Sequence, residues 1–210
     1  MKTYRTPARE GKSEETVKRS TFLGAVWRIA SEQDAQERIA AEKKRHPDAR
    51  HCAWAFVLGK EGDCLRYADD GEPQGTAGQP ILEVIRKRGL TDTLVCVTRY
   101  FGGILLGAGG LTRAYALAAA DALTDAGTTV MLETVRARLT VDYPRLARLK
   151  NALEKDGCVK IEQTVFSSDA DMTVLVQRAA WEDFCARIAD LSGGSFAPRK
   201  TETVFLPWEE

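Results

Sequence analysis

The chain contains no C-x-x-C pair, and its five cysteines, Cys52, Cys64, Cys96, Cys158 and Cys185, are an odd number that cannot close into a disulfide framework. A reducing cytoplasm suits this usage. Histidine is scarcer still. His46 and His51 stand near only one of the cysteines, Cys52, which argues against an ordinary zinc site. Two histidines do not by themselves supply the clustered His/Asp/Glu set of a metallopeptidase. No cofactor is expected. No stretch approaches the ~18 consecutive apolar residues of a membrane span, and the opening MKTYRTPAREGKSEETVKRS lacks an apolar core, so neither insertion nor a recognisable export signal is expected. Net charge is missing too, because thirty Lys and Arg balance thirty Asp and Glu. Any nucleic-acid partner would therefore be held by a local basic patch and not by an overall field.

What is present is ordinary for a soluble globular protein: 44% hydrophobic residues, 29% charged, and 210 residues, enough for one large domain or two small ones. Only the first fifty residues lean basic, with twelve Lys and Arg against eight Asp and Glu.

The most distinctive stretch runs from Leu94 to Leu123. An apolar run ends in Thr98-Arg99-Tyr100-Phe101, a loop carries Gly102, Gly103, Gly107, Gly109 and Gly110, and Leu111, Tyr115, Ala118, Ala119 and Ala122 follow at helical spacing. This reads as strand, glycine loop, helix. Glycines serve where the backbone takes positive φ or approaches another group closely, so the loop is shaped by its backbone. Such a loop directs free N–H groups and the positive end of the helix dipole at whatever sits above it, which favours anions. Arg99 and Arg113 flank it, and Lys18 and His51 are further candidates for the same phosphate site. The pattern matches neither G-x-x-x-x-G-K-[ST] nor G-x-G-x-x-G.

A second unusual stretch is Asp69 to Pro80, DDGEPQGTAGQP. Its glycines and prolines exclude a helix interior or a central strand, so it is an ordered loop, with Asp69, Asp70, Glu72, Gly75 and Thr76 as candidate site-lining residues. The three carboxylates suit either a divalent cation, or acid and base roles, or local work as turn caps and partners of Arg99 or Arg113. With no histidine or serine nucleophile in the stretch, the local role is the expected one.

Elsewhere, residues 1–20 read as a frayed polar segment and Lys18 to Trp27 as a first strand. Ser31 to His46 reads as an amphipathic helix with Ser31 as N-cap and Asp34 completing an imperfect capping box. Strands are expected over Ala49 to Leu58 and Cys64 to Tyr67, and a short helix over Pro80 to Arg88. After a strand near Thr128 to Leu132 the pattern restarts at Val135. Strand Arg136 to Tyr143, a helix opened by Pro144, strands Cys158 to Phe166 and Asp171 to Gln177, helix Trp181 to Leu191 and strand Thr201 to Leu206 follow. That order, β-α-β-β-α-β, is ferredoxin-like. The fold class is thus α+β in two domains, 1–135 and 136–210.

The Asp69 to Pro80 motif and the Val97 to Tyr115 motif, VTRYFGGILLGAGGLTRAY, together with Lys18-Arg19-Ser20-Thr21-Phe22 and His51-Cys52-Ala53, resemble the IMPACT/YigZ family in its bacterial two-domain form. The resemblance covers nearly all of the first domain. It implies a first domain similar to the second domain of ribosomal protein S5 and a carboxy-terminal domain similar to the last domain of elongation factor G. Two positions depart from the pattern: many relatives carry Ser where this chain has Gln74 and Lys where it has Leu105, which removes a possible phosphate contact. The family's link to translational control runs through a separate domain for which this chain has no room.

Three functions follow as expectations. The first is a nucleic-acid- or ribosome-associated binding protein, in which Lys18, His51, Arg99, Arg113 and the glycine loops hold phosphates. The second is an enzyme of a small phosphorylated molecule, although no complete catalytic constellation is visible. The third is a protein-interaction module anchored by a tryptophan.

Overall fold

The computed structural model describes residues 3–208. The chain forms two compact units, residues 4–130 and residues 131–208 together with Thr3. Among the described residues no helix is long and apolar enough to cross a membrane.

In the first unit, strands β2 (Gly11–Val17), β3 (Ser20–Arg28), β4 (His51–Leu58), β5 (Cys64–Ala68) and β6 (Thr93–Tyr100) form a sheet of order β2-β3-β6-β4-β5, with antiparallel neighbours throughout. Strand alternation gives the sheet two apolar faces. Phe22, Val26, Ala53, Ala55, Val95 and Val97 pack under helices α2 (Gly78–Lys87) and α3 (Ala108–Ala126). Ala25, Trp27, Cys52, Phe56, Leu94 and Cys96 face helix α1 (Glu32–Arg45). Ser31 caps α1 by accepting from the Asp34 amide, and Asp34 reciprocates at the Ala30 amide, 3.0 Å away.

The alanines of α3 explain where its amino terminus sits. A Cβ on Gly24 would lie 2.7 Å from the Ala118 carbonyl oxygen and one on Gly11 2.3 Å from that of Ala122. Helix and strand backbones are therefore in direct contact, which larger side chains would prevent. The same contact corrects the expectation of a frayed amino terminus. Residues 3–7 and 11–17 are strands β1 (Thr3–Pro7) and β2. β2 is a polar edge strand held by its small residues, with the Ser13 hydroxyl donating to the Ala118 carbonyl at 2.7 Å. Its composition, GKSEETV, conceals this.

The second unit is built from β7 (Thr128–Val141), α4 (Tyr143–Glu154), β8 (Val159–Phe166), β9 (Ala170–Gln177), α5 (Trp181–Ser192) and β10 (Arg199–Trp208). Its strands lie in the order β10-β7-β9-β8, the ferredoxin-like arrangement, and β1 is the fifth strand of this sheet. Leu139, Val141, Val174 and Val176 meet Leu149 and Leu153 of α4 and Phe184 and Ile188 of α5 in a separate core. β7 is one strand and not the two that the sequence pattern suggests.

Candidate functional site

Register alone assembles the floor of the site. Arg99 of β6 lies opposite Phe22 of β3 on one side and His51 of β4 on the other. The three form a row at one end of the sheet, on the face covered by α2 and α3. Strand alternation turns the Arg99 guanidinium inward, where a lone charge would be costly, and the fold supplies a counter-charge. Arg99 Nη1 donates to Glu72 Oε1 at 2.7 Å, and Nη2 makes a long contact of 3.4 Å to Ser20 Oγ. The guanidinium carbon is 5.4 Å from the ring centroids of both Phe22 and Phe101. Its Nε–H, buried, has no acceptor.

Glu72 also accepts from the Tyr115 hydroxyl at 2.8 Å. Burial, and then the hydrogen bond to Glu72, push the Tyr115 phenol far above its ordinary value, so it remains a donor. Asp69 accepts from the amides of Gly75, Ala77 and Gly78 at 2.8 to 3.0 Å and so ties the acidic loop to the start of α2. Asp70, at φ 49°, accepts from Lys43 Nζ and from the Cys52 amide. Its own carbonyl meets His51 Nδ1 at 2.9 Å. A carbonyl only accepts, so Nδ1 carries the proton and Nε2 is the ring nitrogen left for a ligand. The three carboxylates thus have three separate local partners. Among the described residues no group of three His, Cys, Asp or Glu is placed to hold a metal ion.

Above this floor is a cleft of about 430 Å³ whose lining includes Arg50, His51, Arg99, Phe101, Leu106 and Leu111. The amino terminus of α3 opens onto it. Gly107, at φ 72°, is the N-cap, no side chain caps the helix, and no acidic residue stands in its first turn. The first helical bond runs from the Leu111 amide to the Gly107 carbonyl, so the three amides before it lack intrahelical partners. Leu106 also lines a smaller cleft of about 170 Å³, together with Lys18, Gly110 and Arg113. Among the described residues Lys18, Arg19, Arg50 and Arg113 are exposed and take part in no ion pair.

Residues 18–123 match the Impact N-terminal domain, and residues 139–195 match a domain of unknown function, DUF1949. Over 206 residues the chain is 34% identical to the IMPACT family member YvyE of Bacillus subtilis (strain 168), covering 98% of this chain and 94% of that protein. The chain belongs to the IMPACT family. It is also 33% identical over 198 residues to the IMPACT family member YigZ of Escherichia coli (strain K12), covering 93% and 96% of the two chains. A crystal structure of a hypothetical protein aligns with 96% of this chain and 98% of its own, at a TM-score of 0.63 and 32% identity.

The candidate phosphate-site and acidic-loop residues, from Lys18 to Arg113, all lie within the segment that matches the Impact N-terminal domain, yet the fold distributes them. His51, Glu72, Arg99 and Gly107 meet at the larger cleft, and Lys18, Gly110 and Arg113 at the smaller one. Arg99 and Arg113, expected to flank one anion, stand at different clefts. The strand turns Arg99 inward to Glu72, whereas Arg113 sits on the exposed side of α3. Gly102 lines neither cleft. A Cβ there would lie 2.0 Å from the Arg19 carbonyl carbon and oxygen, so Gly102 lets the loop press on the Lys18-Arg19 turn. Gly103 is exposed at φ 81°. Gly109 is a first-turn residue of α3, and Gly75 and Thr76 shape the acidic loop, with Thr76 Oγ1 donating to the Pro73 carbonyl at 2.6 Å.

Sequence reasoning passed over Arg50, Phe101, Leu106 and the Tyr115 hydroxyl. Arg50 was legible as a cation directly before His51 at a strand start. Tyr115 read as part of an apolar helix face, which it is, while the reach of its hydroxyl to Glu72 depends on tertiary placement.

Proposed function

We propose that the protein binds single-stranded nucleic acid, RNA free or within the ribosome, in the cytoplasm, through this end of the first sheet. The observation that carries the reading is the gathering of Lys18, Arg50 and Arg113, all without ion pairs, around the uncapped start of α3 and two adjoining clefts. Free amides and cations suit phosphate oxygens. Phe101, 44% exposed at the cleft, offers a ring face on which a base stacks. Stacking of this kind needs an unpaired base, which a single strand offers and a duplex does not.

Binding of fluorescently labelled single-stranded RNA and DNA, followed by anisotropy, tests this. Arg50→Ala with Arg113→Ala should weaken binding at least tenfold while the thermal unfolding midpoint stays put. Unchanged affinity in a folded double variant would remove the site assignment. Absence of binding by the unaltered protein would remove the function.

A further inference from the structure

The charges and the tautomer of the larger cleft say more about the phosphate it takes. Arg99 is offset by Glu72, 2.7 Å away. That leaves Arg50 and the amino terminus of α3, worth about half a positive charge. The surplus is about one and a half positive charges. An internal phosphodiester brings a single negative charge. A phosphate monoester brings about 1.5 to 2 at neutral pH.

His51 points the same way. With Nδ1–H given to the Asp70 carbonyl, Nε2 of the neutral ring is a bare acceptor. A diester has no proton to place there and would set an oxygen lone pair against a nitrogen lone pair. A monoester, whose second ionisation lies near pH 6, can carry a proton on one oxygen and donate it to that acceptor. The charged groups around His51 are Arg99 across the register on β6, Arg50 beside it, Glu72 and Asp70 of the acidic loop, and Lys43 of α1, which pairs with Asp70. α3 contributes no carboxylate in its first turn. The Nε–H of Arg99, a residue of the cleft lining, is buried without an acceptor.

We infer that the larger cleft recognises a phosphate monoester, the terminal phosphate of a nucleic-acid strand, in preference to an internal phosphodiester. The inference rests on the nucleic-acid reading for its source of monoester and on the cleft alone for its chemistry. Phe101 and Leu111 then flank the terminal nucleoside, and the smaller cleft with Lys18 and Arg113 lies next along the chain across Leu106.

The test compares ten-nucleotide single-stranded RNAs of one sequence bearing a 5′-phosphate, a 3′-phosphate or hydroxyls at both ends, with adenosine 5′-monophosphate and ribose 5-phosphate as short probes, each titrated into the full chain. One of the phosphorylated RNAs should bind at least tenfold tighter than the hydroxyl RNA. His51→Gln should reduce the gain, read as the ratio of phosphorylated to hydroxyl affinity of that same variant, to under threefold. Arg50→Ala, at an exposed position without an ion pair, should reduce the same gain and serves if the His51 variant misfolds. Equal binding of phosphorylated and hydroxyl RNA overturns the monoester inference and leaves nucleic-acid binding standing. Binding of the short monoesters but of no RNA overturns nucleic-acid binding and leaves the monoester site standing. Binding of nothing overturns both.

Discussion

Removing the Arg99 side chain strands Glu72 as a buried carboxylate that still accepts from the Tyr115 hydroxyl but has lost its counter-charge. Breaking a buried pair from one side typically costs roughly 3–5 kcal/mol, because the surviving charge keeps its desolvation penalty without the attraction that offset it. Arg99→Ala should therefore lower stability by about that amount in urea unfolding. Arg99→Ala combined with Glu72→Gln should recover a substantial part, since the neutral amide carries no charge to strand. A single variant as stable as the parent would show that the pair contributes nothing and that Arg99 is free for a ligand. Arg99 was legible as a cation beside the glycine loop. Its commitment to Glu72 was not, because the pairing spans 27 positions and depends on which face of β6 the side chain takes.

The glycine loop shows the same division at the level of an element. Its glycines look alike in sequence but do different work. Gly102 yields to the backbone of the Lys18-Arg19 turn, which is itself held with positive φ at both residues, the requirement of a two-residue hairpin turn of the primed type. Gly107 supplies the positive φ that starts α3. Gly109, inside the helix, has only Arg113 Nη1 at 3.8 Å from where a Cβ would stand. Gly102→Ala should thus cost about 1–3 kcal/mol or more through collision with fixed backbone. Gly109→Ala should stabilise by about 0.5–1 kcal/mol through helix propensity. Differential scanning calorimetry of the two variants decides the point, and a Gly102→Ala protein melting at or above the parent's midpoint would refute the close approach. Strand, loop and helix were readable here because periodicity is local. The contact between Gly102 and Arg19 was not, since β2 reads as a polar tail until α3 is laid on it.

For the molecule as a whole, the two α+β domains were visible as a pattern restart, and the compact units divide a few residues earlier, inside β7 between Val130 and Met131. A continuous strand leaves no loop composition to mark such a boundary. The balance of thirty cations against thirty carboxylates was also plain, and it has a consequence for binding that only the placement of Lys18, Arg50 and Arg113 makes quantitative. With no net field, the salt dependence of nucleic-acid affinity comes from the phosphates these three neutralise. Each contact on a single strand contributes about 0.7 to the slope of log affinity against log salt, so three give a slope near −2. Raising salt from 50 to 200 mM should then weaken binding about fifteenfold, and only about threefold once Arg50 and Arg113 are both alanine. A double variant that kept the parent's slope would place the phosphate contacts elsewhere on the chain, whatever its absolute affinity.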